Sequence, residues 1–377
     1  VNPTTIKIPL LILLLSISAT IKWTKASRKI SQKPGDFYTM FSSGIRNSAS
    51  CYRIPAMVST PGGAVIAVAD ERVPSCGDLK VNDDINIVMR RSTDHGASWS
   101  QVETIVDYPP GQSASDPSMI VDKVTNEVFL FFNYMDLTNE KDVYYLKFIK
   151  SKDDGRTWSS PVDITRQITK AVWKMDFQFI TSGRGIQTRS GQLLHTLVNL
   201  QRGLHLFASD DHGKHWYLIN GELKPGDESK VVELLDGSWM VNSRMNGSGY
   251  RYVHTSVDQG RTWITRIDSA LIDPSCNASI IRYPSAMQGE LKNRLIFANA
   301  ASSEHRINMT VRISYDEGTI WSEGKTVYEG SAAYSSLSIL ADGDVGLLFE
   351  KDQYGEIVFV KLPLAWLENV SEHGLKH

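Results

Sequence analysis

The sequence predicts an all-β chain, a six-bladed β-propeller, and two observations lead there. An octapeptide of one design recurs five times: "STDHGASW" from Ser92, "SKDDGRTW" from Ser151, "SDDHGKHW" from Ser209, "SVDQGRTW" from Ser256 and "SYDEGTIW" from Ser314. Its copies start 59, 58, 47 and 58 residues apart, and recurrence at such a period marks an architecture of stacked, similar units. The intervening segments read as short strands. "AVIAVAD" (Ala64–Asp70), "EVFLFFNY" (Glu127–Tyr134), "QLLHTLVN" (Gln192–Asn199) and "VGLLFE" (Val345–Glu350) are apolar or alternating, bounded by Gly, Asp, Asn or Pro. No convincing amphipathic helix interrupts them.

From the N-terminus onward, the first element is an apolar run, "IPLLILLLSISA", preceded by Lys7. It is shorter than the roughly 20 residues of a membrane span and fits the hydrophobic stretch of a secretory signal, assigned to residues 1–25. A basic, polar linker over 26–36 follows, then one folded domain over 37–377. The roughly 340 residues after the leader divide by six into units of about 57, so five units with the octapeptide and one without would close a ring. Each octapeptide reads as a turn. Its Asp can bond backbone amides, its Gly can take positive φ, and its Trp can pack between strands. A calcium loop needs ligands at alternating positions over about a dozen residues and a closing Glu, which no copy supplies.

The chain has 377 residues, a formal net charge of −2 and 22% charged side chains, without the basic excess of a nucleic-acid-binding protein. Three cysteines, Cys51, Cys76 and Cys276, with no CxxC pair, argue against a disulfide framework and a zinc site but leave room for one bridge. Sequons stand at Asn246, Asn277, Asn308 and Asn369.

The five turns, known as Asp boxes, occur together with "YRIP" at Tyr52–Pro55. In this the chain resembles the exo-sialidase (neuraminidase) family, most nearly its secreted bacterial members, over about Tyr52–Trp366. The resemblance implies a sialidase-type propeller that removes terminal sialic acid from glycoproteins, glycolipids and oligosaccharides. The substrate's carboxylate calls for arginines, whose planar forks match it. By motif these correspond to Arg53 in "YRIP", Arg244 in "VNSRM" and Arg312 in "VRISYDEG", with Glu350 in "GLLFEKD" supporting Arg53. The family's nucleophile is a tyrosine, matched by Tyr334 in "SAAYSSLS", with Glu233 in "KVVELLDG" as its base. A neutral tyrosine avoids the repulsion that an anionic nucleophile would meet beside the substrate's own carboxylate.

Asp78 in "DERVPSCGDLKVNDDIN" matches the acid, and Asp83 and Asp84 lie near enough to serve instead. Arg72 and Asp116 match pocket residues, and "WKMDFQF" (Trp173–Phe179) offers apolar groups to an N-acetyl methyl or to a strand core. "SGRGIQ" (Ser182–Gln187) recurs in the family and fails as a dinucleotide fingerprint. The resemblance implies no metal and no organic cofactor. It implies sialylated glycans as partners, and the chain is expected to act as a monomer. The charge balance argues against a nucleic-acid partner, and the N-terminal run predicts a protein without membrane insertion of the mature domain, secreted or held in the periplasm or at the cell surface. Sialyl transfer to another sugar, or intramolecular attack giving an anhydro product, would use the same residues. A non-catalytic glycan-binding propeller would keep the boxes and lose the catalytic positions.

Overall fold

The computed structural model describes residues 34–43, 51–284 and 292–369. The predicted signal over 1–25 lies outside the described residues, as does the 26–36 linker up to residue 33. Among the described residues no helix is long and apolar enough to cross a membrane.

The fold is all-β, with strands pairing into successive antiparallel meanders. The first unit runs through Cys51–Ser59, Val65–Val73, Asp84–Ser92 and Glu103–Val106. The second takes Gln112–Asp122, Glu127–Asp136, Tyr145–Ser151 and Val162–Asp163. In the third, Gln178–Ile180 and Ile186–Gln187 both pair Leu193–Asn199, followed by Gly203–Ser209 and Tyr217–Leu218. The fourth comprises Ser229–Glu233, Trp239–Ser243, Tyr250–Ser256 and Ile264–Ile272. One long strand, Lys325–Ile339, serves twice. Its first half completes a fifth unit after Ser279–Tyr283, Arg294–Ala300 and Ile307–Ser314. Its second half opens a sixth with Val345–Lys351 and Glu356–Leu362. The fourth strand of that last unit is Tyr38–Ser42, from the opposite end of the sequence.

Every box sits where the third strand of its unit turns into the fourth. The serine hydroxyl accepts the glycine N–H at 2.8–2.9 Å and donates to the aspartate at 2.7–2.9 Å. The aspartate Oδ1 accepts the backbone N–H four residues on at 2.8–2.9 Å. Glycine is required at the tip: Gly213 has φ +75°, and a Cβ there would stand 2.4 Å from the Phe129 ring. Trp99, Trp216 and Trp321 are buried, Trp158 and Trp263 half-buried. The sixth unit lacks a box for a topological reason. Its third strand has no hairpin to the fourth, because the fourth arrives from the other end of the chain, and a short helix, Leu364–Glu368, follows instead.

Apolar side chains pack between consecutive units. Val68 of the first unit shares a cluster with Leu130 of the second, Phe131 with Phe207 of the third, and Leu206 with Val241 of the fourth. Met240 then joins Phe297 of the fifth, and Ile296 joins Leu347 of the sixth. A further cluster unites Leu348 and Phe359 of the sixth unit with Met57 and Val65 of the first, and takes in Met40 and Phe41.

Candidate active site

Three first strands carry a β-bulge at the same level, between Arg53 and Ala56, Ser115 and Ser118, and Ala332 and Ser335. A bulge breaks the two-residue alternation and re-aims a side chain. Two of them hold a residue in the left-handed region, Ile54 at φ +60° and Asp116 at φ +55°. For a β-branched isoleucine this conformation is strained, and the surrounding bonds hold it. The Ile54 N–H donates to Glu350 Oε1 at 2.9 Å, and the same oxygen accepts Arg53 Nε at 2.7 Å. Glu350 Oε2 accepts the Tyr334 N–H at 3.1 Å. One fully buried carboxylate thus ties the Arg53 strand to the Tyr334 strand, and the Arg53 guanidinium lies 3.9 Å from the Tyr354 ring centroid.

The loop after Val65–Val73 is stitched to the same place. Cys51 and Cys76 form a disulfide, and the Cys76 carbonyl accepts Arg53 Nη1 at 3.1 Å. Arg72 donates Nε and Nη2 to Asp70 at 3.0 and 2.9 Å, and Nη1 to the Gly77 carbonyl at 2.8 Å. The same Nη1 reaches Asp78 at 3.5 Å, while the Asp78 side chain stays 95% exposed. Asp70 accepts the Asp116 N–H at 3.0 Å. Burial pushes the Asp70 carboxyl up to about 8, opposed by Arg72 and reinforced by Asp116.

Tyr334 is the centre. Its hydroxyl donates to Glu228 Oε2 at 2.7 Å, the oxygen that also accepts Arg244 Nη1 at 2.6 Å, and Arg244 Nη1 lies 3.2 Å from the hydroxyl oxygen. The guanidinium carbons of Arg53 and Arg306 stand 5.6 and 5.4 Å from the Tyr334 ring centroid. Arg306 is held by the Tyr354 hydroxyl and the Ser275 carbonyl, each at 3.1 Å. Burial raises the Glu228 carboxyl against the pull of Arg244. Burial, then the Glu228 charge, raises the Tyr334 hydroxyl well above its ordinary value. Tyr334, Glu228 and Arg244 border a cavity of about 400 Å³ whose wall also includes Arg72, Asp78 and Asp116, with Phe177, Phe179 and Leu200 as an apolar side, while Arg306 lines a smaller cavity of about 120 Å³ with Glu350 and Tyr354.

Residues 76–347 match the family model described as a BNR repeat-like domain. The chain belongs to the BNR repeat-like domain family. Similar proteins include a sialidase of Micromonospora viridifaciens, 36% identical over 346 residues (85% of this chain, 52% of that protein), and a sialidase of Bacteroides fragilis, 32% identical over 336 residues (81% and 61%). Among solved structures, a Hadza microbial sialidase, Hz136, superposes with a TM-score of 0.76 at 31% identity, covering 83% of this chain and 66% of the other. The chain thus spans between half and two thirds of these relatives' lengths.

Within this BNR repeat-like chain, two residues expected at the site stand elsewhere. Glu233 does not approach Tyr334. It accepts the Arg189 N–H at 2.7 Å and meets the Arg189 guanidinium at 3.4 Å, in the wall of a different cavity. The carboxylate at the tyrosine is Glu228, just before the same strand. Arg312 bonds Asn299 at 3.4 Å near the box end of its strand, and the third arginine around Tyr334 is Arg306. Asp83 and Asp84 are not in the wall of the Tyr334 cavity, whereas Asp78 is. The boxes supply no residue to it. Asn277, one of the four sequons, is buried, its amide bonded to Ser182 and Lys230 at 2.8 and 2.6 Å.

A positional signal for the two missed residues was available in the sequence. Boxes mark the ends of third strands, so a site residue on such a strand belongs at its start. Arg306 lies six residues before Arg312, about 20 Å along an extended chain. Glu228 precedes Glu233 by five residues, about 17 Å in the same terms.

Proposed function

We propose that the chain is an exo-α-sialidase, releasing terminal sialic acid from sialylated glycans. The observation that carries the reading is the 2.7 Å hydrogen bond from Tyr334 to Glu228, set among Arg53, Arg244 and Arg306. The three guanidiniums would receive the substrate carboxylate, which sits on the anomeric carbon and brings that carbon over the tyrosine. Tyr334 attacks as Glu228 takes its proton, so negative charge develops on oxygen only when the carbon is there to receive it. Asp78, on an exposed loop, protonates the departing glycosidic oxygen. Asp78 then takes a proton from water as water releases the sugar from Tyr334, and two inversions give retention. Asp116 and Arg72 would meet the sugar's hydroxyls, and Phe177 and Phe179 its N-acetyl methyl.

The six meanders are read as blades of a closed propeller formed by residues 37–377. Supporting that reading are the Tyr38–Ser42 pairing and the apolar cluster joining the sixth unit to the first. The domain is read as a secreted monomer.

A fluorogenic sialoside and a natural sialylated oligosaccharide test the chemistry together. Tyr334→Phe is expected to lose most turnover on both, and NMR should detect the α-anomer of the released sugar first. Asp78→Asn is expected to be most damaging on the natural glycan, whose leaving group needs the proton. Full activity of Tyr334→Phe would end the covalent reading.

A further inference from the structure

At the far ends of the first strands from Tyr334 lies a second cavity, of about 610 Å³. Its wall carries four cations, Lys123, Arg184, Arg189 and Arg282, and a single carboxylate, Glu233. Two of the cations are accounted for. Arg189 holds Glu233, and Arg282 donates to Glu317 at 2.5 and 3.1 Å. Arg184, in the short strand Gly183–Arg184, donates to the Leu337 carbonyl at 3.2 Å, and its Nε is buried without an acceptor among the described residues. Burial brings the Arg184 guanidinium down to about 10. Desolvation, then the Arg184 charge, lowers the Lys123 ammonium. Neither cation has a carboxylate partner among the described residues. A guanidinium withdrawn from water without an opposing charge is costly, and the exposed Lys123 ammonium adds a second positive charge to the same wall.

We propose that Arg184 and Lys123 form an anion site that takes a small oxyanion of the phosphate class. The guanidinium fork presents planar donors to an oxyanion, and the ammonium supplies a mobile second charge. The cavity exceeds the volume of one such ion, so water would complete its shell. This site is separate from the Tyr334 cavity and independent of any activity there.

Isothermal titration with inorganic phosphate, at ionic strength held constant with sodium chloride, tests the site in the full chain. The wild-type protein gives a saturable heat. Lys123→Met, a change at the accessible wall, weakens binding roughly tenfold or more, as expected for losing one charge-assisted hydrogen bond. Lys123→Glu, which supplies an internal carboxylate to Arg184, abolishes it. Absence of saturable heat in the wild-type protein, or unchanged affinity in both variants, overturns the proposal.

Discussion

The Tyr334 hydroxyl donates to the Glu228 carboxylate, and substitution can separate Glu228 from Glu233, at the other end of the strand that Glu228 precedes. Glu228→Gln is expected to lower kcat about 10²–10⁴-fold, the range for losing a general base, while Glu233→Gln leaves kcat unchanged. Equal losses in the two would show that the hydrogen bond in the free protein is not the catalytic one. Arg306→Lys should cost about 10- to 100-fold in kcat/KM, since lysine keeps the charge but not the fork. Arg312→Lys should cost almost nothing. Most of this site was legible because each residue lies in a short motif whose chemistry is restrictive: "YRIP" fixes Arg53, and the apolar run before Glu350 fixes the buried carboxylate. Glu228 and Arg306 were not legible, because along a strand a motif identifies the strand more readily than which end faces the site. Asp70, buried behind Arg72 and bonded to the Asp116 backbone, was missed as well. Its position in an apolar strand, "AVIAVAD", with an arginine two residues on, was the available hint.

At the scale of the element, the box is a hydrogen-bonded knot, and its acids respond to pH as such. Amide and hydroxyl donors hold Asp94, Asp153 and Asp258 down to about 2, below their ordinary 3.8. A carboxylate depressed in the folded state contributes stability above its unfolded pKa and loses that contribution as pH falls through the folded value. The turns should therefore weaken between about pH 4 and pH 2. The urea midpoint followed by tryptophan fluorescence should fall over that window in the wild-type chain, and less steeply in Asp258→Asn. A flat midpoint across it would contradict the assigned bonds. Gly213→Ala combines a left-handed backbone with a Cβ against Phe129 and should cost about 2–4 kcal/mol in equilibrium unfolding. The boxes were the most readable elements because their bonds are local in sequence. The bulges at Ile54, Asp116 and Tyr334 were not readable. They depend on partners from other strands, such as Glu350, which is 296 residues from Ile54.

For the molecule as a whole, the decisive pairing joins the two ends of the described chain. Met40 and Phe41 are fully buried, so removing the residues up to 43 should cost about 3–6 kcal/mol of apolar burial. The deletion also exposes the edge of Glu356–Leu362, and light scattering should show association through it. A deletion variant with unchanged urea stability would argue against a closing role for this strand. The all-β class was legible in the strand pattern, and the meander that takes Tyr38–Ser42 as its last strand has no third-to-fourth hairpin in which a box could sit. The Cys51–Cys76 bond has a consequence of a different kind. It anchors the loop bearing Asp78 to the strand bearing Arg53, closing a loop that the chain-entropy model values at about 3–4 kcal/mol. Dithiothreitol should leave the sheets intact while loosening the loop proposed to deliver the proton, so that on the proposed reading sialidase turnover falls and returns on reoxidation. If the proposed activity holds, the same polypeptide made in a thiol-rich cytosol would be folded yet catalytically poor, and an oxidising compartment would restore it.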